Sequence, residues 1–168
     1  MLKRIIYEDS EGNCRIICPD PRFKQKWESD DEALGRLYAA AIPDVIEFIV
    51  CAIEKIPSDT TFREAWKKGD LNEPIKIDLQ KAMVMHRSHI QMAAEEKIKQ
   101  LNTELDKAIE DDNLPGQVSV RKTKKILRSI HQMDLSHCKN SDDIKYSIPK
   151  ELYDVWRYYS PVRPSESV

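Results

Sequence analysis

The sequence predicts an α+β protein that is mainly helical, with a small N-terminal antiparallel β element followed by a long antiparallel helical hairpin. Three observations carry this. β-Branched runs are confined to the first third of the chain. A long stretch from Asp78 onward has apolar residues at helical spacing with no Gly or Pro. A second amphipathic stretch follows a turn signal at Asn113-Leu114-Pro115-Gly116. Composition agrees: 168 residues with 40% apolar, 33% charged and only four Gly suit one helix-rich globule or a small head joined to a hairpin.

Lys3 to Tyr7 and Cys14 to Cys18 are β-branched runs around a turn-forming cluster in which Gly12 or Asn13 takes a positive φ, which predicts a hairpin. Asp30 or Asp31 then caps a helix through about Ala41, which Pro43 stops. Val45 to Cys51 has the β-branched and aromatic content of a third strand, which is the preferred reading, although its pattern alone also fits a helix. Thr61 and Glu64 fit a capping box and Gly69 a stop, predicting a helix of about two turns.

In the long helix Leu79, Met83, Ile90, Ala94, Ile98, Leu101, Leu105 and Ile109 make one stripe, so a partner must lie along it. The second helix supplies Val120, Ile126, Leu127, Ile130 and Met133. Ser136 to Ser147 reads as a loop, and Pro149 opens a last short helix through Trp156. The resulting segmentation is a head over 1–57, a short helix and linker over 58–76, the hairpin over 77–135, a loop and C-terminal helix over 136–160, and a loose tail over 161–168.

A net charge of −2 gives no global attraction to nucleic acid or an anionic membrane. The most apolar stretch, Val45 to Ile53, is too short to span a bilayer, and Met1 to Tyr7 lacks the apolar run of a secretory signal. Cys14, Cys18, Cys51 and Cys138 lack close pairing, as expected of free thiols in a reducing cytosol.

Chemistry-bearing patterns are sparse. No Gly-x-Ser-x-Gly elbow is present, and the scattered Gly residues build neither a Walker loop nor a dinucleotide fingerprint. His86 and His89 share a helix side, but nothing completes a metal site. No cofactor, metal, small-molecule substrate or membrane partner is therefore expected, and no enzymatic activity. Arg121, Lys122, Lys124, Lys125 and Arg128 form a basic helix face, mostly opposite the apolar stripe, with Lys124 expected on that opposite face. It is read as solvated, or as paired with Glu104, Asp106, Glu110, Asp111 and Asp112 across the hairpin, before it is read as a phosphate-contacting surface. Phe62 and Trp66, one helical turn apart, serve either as core or as a binding anchor, and core is preferred.

The run Phe62-Arg63-Glu64-Ala65-Trp66, the later Asp78-Leu79-Gln80-Lys81-Ala82 leading to His86-Arg87, and the ending Pro149-Lys150-Glu151-Leu152-Tyr153-Asp154-Val155-Trp156 occur in that order. Together they resemble a group of small, poorly characterised bacteriophage and prophage proteins, many from tail-gene clusters. A hairpin followed by a Trp is also similar in architecture to tail-fibre assembly chaperones. This chain departs from the first group in a longer region between residues 20 and 45, a Lys-rich second helix and a tail after Trp156.

The resemblance implies a minor tail component or a tail or fibre assembly factor in the cytoplasm of a bacterial host or on the virion. Its partner would be another phage structural protein or a second copy, and its binding residues would include Phe62, Arg63, Trp66, His86 and Trp156. The alternative is a nucleic-acid-binding regulator using the basic face.

Overall fold

The computed structural model describes residues 3–20, 22, 24–41 and 47–157, in two compact units that divide between Asp78 and Leu79. The predicted mainly helical α+β class holds.

In the first unit, β1 (Lys3–Glu8) lies between β2 (Cys14–Ile17) and β3 (Phe48–Ala52), antiparallel to both. Ile6 stands opposite Ile16 on one side and Ile49 on the other, so period-2 alternation sorts the apolar residues to two faces. On one face Ile5 packs with Leu34 of α1 (Asp30–Ala41), flanked by Tyr7, Ile17, Tyr38 and Val50. On the other, Ile6, Ile49 and Cys51 pack with Trp66 and Ile75. Gly12 makes the β1–β2 turn at φ +76°. Asp9 secures it by accepting the backbone N–H groups of Glu11 and Asn13 and pairing with Arg15 at 2.7 Å. The third strand predicted over Val45 to Cys51 is β3; residues 45 and 46 lie outside the described residues.

Two expectations in this unit are corrected. The cap of α1 is neither Asp30 nor Asp31 but Ser29. Its hydroxyl accepts from the Glu32 N–H while the Glu32 carboxylate accepts from the Ser29 N–H, a reciprocal capping box. The two-turn helix after Thr61 is absent. In its place a 3-10 turn, Arg63–Ala65, leads into β4 (Trp66–Lys68), which pairs with β5 (Ile75–Ile77) in a second hairpin.

Trp66 is laid against the first sheet by a strand, where its large side chain buries more surface than a solvent-facing helical turn would allow. Gly69 belongs to the turn of this hairpin, not to a helix end. A Cβ there would stand 1.9 Å from the Glu73 carbonyl oxygen, a contact no side chain tolerates. Asp70 completes the turn by accepting from the N–H groups of Asn72 and Glu73.

The second unit is built on α2 (Leu79–Glu110), 32 residues without Gly or Pro, about 48 Å at the usual rise. α3 (Leu114–Ser129) returns antiparallel to it. The reversal is made by Asp111, Asp112 and Asn113, with Asp112 at φ +49°. Leu114, Pro115 and Gly116, expected to be the turn, are instead the first turn of α3. Asn113 caps them by accepting the Gly116 N–H at 3.0 Å, and Pro near the helix start costs no hydrogen bond.

Ile90, Ala93, Ala94 and Leu101 of α2 meet Leu127 of α3, together with Ile130, Leu152 and Val155. The apolar stripe of α2 thus has two partners, the expected α3 and the segment after residue 133. That segment, read as loop between Ser136 and Ser147, contains α4 (Ser141–Tyr146), whose cap Asn140 accepts the Asp143 N–H. The helix expected from Pro149 to Trp156 is only a 3-10 turn, Lys150–Leu152. Ile109 and Ile126, assigned to the facing stripes, are 47% and 40% exposed, and Leu105 is half-buried. The tail over 161–168, with residues 158–160, lies outside the described residues.

Candidate functional site

Each residue singled out from sequence has a definite place. Phe62 and Trp66 are buried, Trp66 inside the cluster that covers one face of the first sheet. The indole Nε1 of Trp66 is enclosed without a hydrogen-bond partner among the described residues. Arg63, at the start of the 3-10 turn, is exposed. These three belong to the first unit.

In the second unit His86 and Trp156 are brought together, 70 residues apart in sequence but with ring centroids 5.7 Å apart in an edge-on contact. His86 is fully buried on α2 and donates from Nε2 to the Ser147 carbonyl at 2.9 Å. Burial first, and His89 nearby, push its pKa down, while the Ser147 hydrogen bond pulls it partly back. It is therefore a neutral tie between α2 and the C-terminal segment. Lys97 holds the same segment by pairing with Asp154 at 2.5 Å, and Arg157 pairs with Glu96.

Elsewhere the perturbed titratable groups also serve structure. Asp9 is lowered to about 2 mainly by the Asn13 N–H, Glu28 to about 2 by Arg36, and Asp70 to about 2 by the Glu73 N–H. Burial, with Glu8 nearby, raises the Cys14 thiol to about 11. Among the described residues no group of His, Cys, Asp or Glu is assembled that could hold a metal ion. An open groove of about 660 Å³ runs along residues 53–58 and 72–75 of the first unit, and the Lys55 ammonium at its edge donates to the Leu71 carbonyl.

The surface that stands out is the outward face of α3. Leu114 and Val118, one turn apart, are 69% and 65% exposed, and Arg121 and Lys125 continue the same helical stripe. Arg121, Lys122 and Lys125 are exposed and form no ion pair with a described residue. Nor do Glu104, Asp106, Glu110, Asp111 and Asp112, so the pairing expected across the hairpin does not form.

Lys124 is an exception within the basic set. It lies beside the α2–α3 seam and donates to Asn102 at 2.6 Å, not on the face opposite α2 as its spacing suggested. Together with the Gln117 side-chain bond to the Ala108 carbonyl, it fixes the register of the two helices.

No protein-family model, curated protein or solved structure matches this chain. Geometry alone must then nominate the site. Leu114 and Val118 were not picked out as site residues from sequence. The signal that could have found them is their phase: positions 114 and 118 fall outside the spacing of Val120, Leu127 and Ile130 and so must face away from α2.

Proposed function

We propose that this chain is a non-enzymatic bacteriophage or prophage protein, a minor tail component or a tail or fibre assembly factor, that acts by binding protein through its helical hairpin. The observation that carries protein binding is the outward face of α3, where Leu114 and Val118 stand exposed beside the unpaired cations Arg121 and Lys125. Exposed aliphatic residues ringed by charge are the composition of a docking surface, and a rigid helix presents them with little ordering cost. The phage context rests on the resemblance carried by Phe62-Arg63-Glu64-Ala65-Trp66 and Asp78 to Ala82. It places the chain in the cytoplasm of a bacterial host or on the virion.

Co-expression of the full chain with candidate tail and fibre proteins, followed by affinity capture, tests the reading. A stable complex with at least one of them, lost on Val118→Glu, is expected. Capture of none of them overturns it.

A second reading has its own observation. Arg121, Lys122 and Lys125 are free to meet phosphates, which would make the chain a nucleic-acid-binding regulator using the basic face with Lys124 and Arg128. Its signature is affinity for duplex or single-stranded DNA that falls steeply with salt and disappears when the five residues become Gln. Absence of binding at low salt removes it.

A further inference from the structure

The outward face of α3 has a linear order that carries a partner assignment. Reading from the hairpin tip, the exposed Asp111 and Asp112 of the inter-helix turn come first, then Leu114 and Val118, then Arg121 and Lys125 on the outward face of α3. The order from the turn along α3 is acidic, apolar, basic, and its helical part, Leu114 to Lys125, covers about 17 Å of axis. None of these four charged side chains is neutralised by a described residue.

A face with this order is complementary to itself when one copy is turned end for end. We propose that two copies of this chain associate through α3, antiparallel, about a two-fold axis near Val118. In that arrangement Val118 meets Val118 of the other copy. Leu114 lies along the aliphatic stems of the basic residues, and the carboxylates of Asp111 and Asp112 reach Arg121 and Lys125 on the opposite helix. The contact is isologous, so every favourable ion pair is made twice. Antiparallel helix dipoles oppose one another favourably as well. Both sets of charges left unpaired within the monomer find their counterparts at once, which neither an acidic nor a basic partner would achieve.

One helix face per copy is a small interface, at or below the size of stable complexes, so the association is weak and reversible. Its charged ends are solvent-accessible, which makes it salt-sensitive. The inference rests on the protein-binding reading of the hairpin and extends it: a second copy covers the α3 face until a tail or fibre partner takes its place.

Sedimentation equilibrium of the full chain over a concentration series tests it, with three variants. Val118→Glu places a charge on the axis. Asp111→Lys with Asp112→Asn inverts the acidic end, Asn being the residue that keeps the positive φ at position 112. Arg121→Glu with Lys125→Glu inverts the basic end. All these sites are exposed, so circular dichroism should match the parent.

The parent is expected to dimerise, at least tenfold more weakly in about 500 mM than in about 50 mM salt. Each variant alone should lose association by tenfold or more. Mixing the two charge-inverted variants should restore it, because each then meets its complement. A parent that stays monomeric throughout, or a dimer indifferent to all three variants, overturns the proposal. If the monomeric parent still captures a tail protein in a Val118-dependent manner, self-association fails while the protein-binding reading stands.

Discussion

His86 is kept neutral by burial and by its bond to the Ser147 carbonyl, so its folded pKa lies below the ordinary histidine value of 6.5. The unfolded chain then binds the extra proton between those two values. Stability is full above about pH 6.5 and declines as pH falls towards the folded pKa. Thermal melts between pH 7 and 5 should show this slope, and His86→Gln, which keeps a donor but does not titrate, should flatten it. Asp9, Glu28 and Asp70, each lowered to about 2, act in a separate window: their contribution is present above the ordinary carboxylate range and is lost as pH falls through it towards 2.

Two glycines give opposite expectations. Gly69→Ala drives a Cβ into the Glu73 carbonyl and should destabilise by about 1–3 kcal/mol or more. Gly35→Ala meets open space on a helix and should stabilise by about 0.4–1 kcal/mol. Urea melts of both read out the signs. From sequence Gly69 looks like a helix stop, because the carbonyl that makes it indispensable comes from across a hairpin that only the fold reveals.

At the scale of elements, what the sequence made legible is what local periodicity governs. The β1–β2 hairpin, α1 and the long α2 follow from turn signals and helical spacing, whereas β3, five residues long, has a pattern that fits strand or helix and is decided by its pairing with β1. The failures are short segments on which tertiary contacts decide. Phe62 and Trp66 share the spacing of a helix, yet Trp66 pairs opposite Ile77 in a strand. The polar run before Ser147 hides α4, whose Asn140 cap and Asp142-Asp143 first turn were the readable signal. The reversal was misplaced because Pro115-Gly116 looks like a turn, whereas Pro opens α3 and Gly116 leaves room for the Asn113 cap, 2.6 Å from where a Cβ would stand.

Asn113→Ala should therefore cost about 1 kcal/mol in a denaturant melt. The α2–α3 seam carries far more. Leu101, 4% exposed in the apolar cluster that α2 shares with Leu127, should cost about 2–5 kcal/mol on truncation to Ala, while Lys125→Ala on the outward face should shift the melting temperature little. Equal small shifts would mean the two helices are not one cooperative unit. Lys124→Ala, by contrast, removes the bond to Asn102 across the seam and should cost more than Lys125→Ala.

For the whole molecule, each unit has a core of its own, one built on a three-stranded sheet and the other on α2. No described helix is long and apolar enough to cross a membrane. The candidate site was legible only in part: the basic residues of α3 were visible, but Leu114 and Val118 beside them were hidden by a misplaced turn. With Asn113 as the cap, Leu114 falls inside the helix, and the spacing of Val120, Leu127 and Ile130 then puts Leu114 and Val118 on the outward face.

The buried Phe62, Trp66 and His86 and the half-buried Trp156 hold the fold, and the outward face of α3 is the surface proposed to bind. The measurement that separates these roles most directly is a side-by-side melt and affinity capture of Val118→Glu with co-expressed tail and fibre proteins. Val118→Glu is expected to melt within a few degrees of the parent and to lose the captured partner. A variant that keeps its stability and still captures that partner at parental yield would contradict this division of roles.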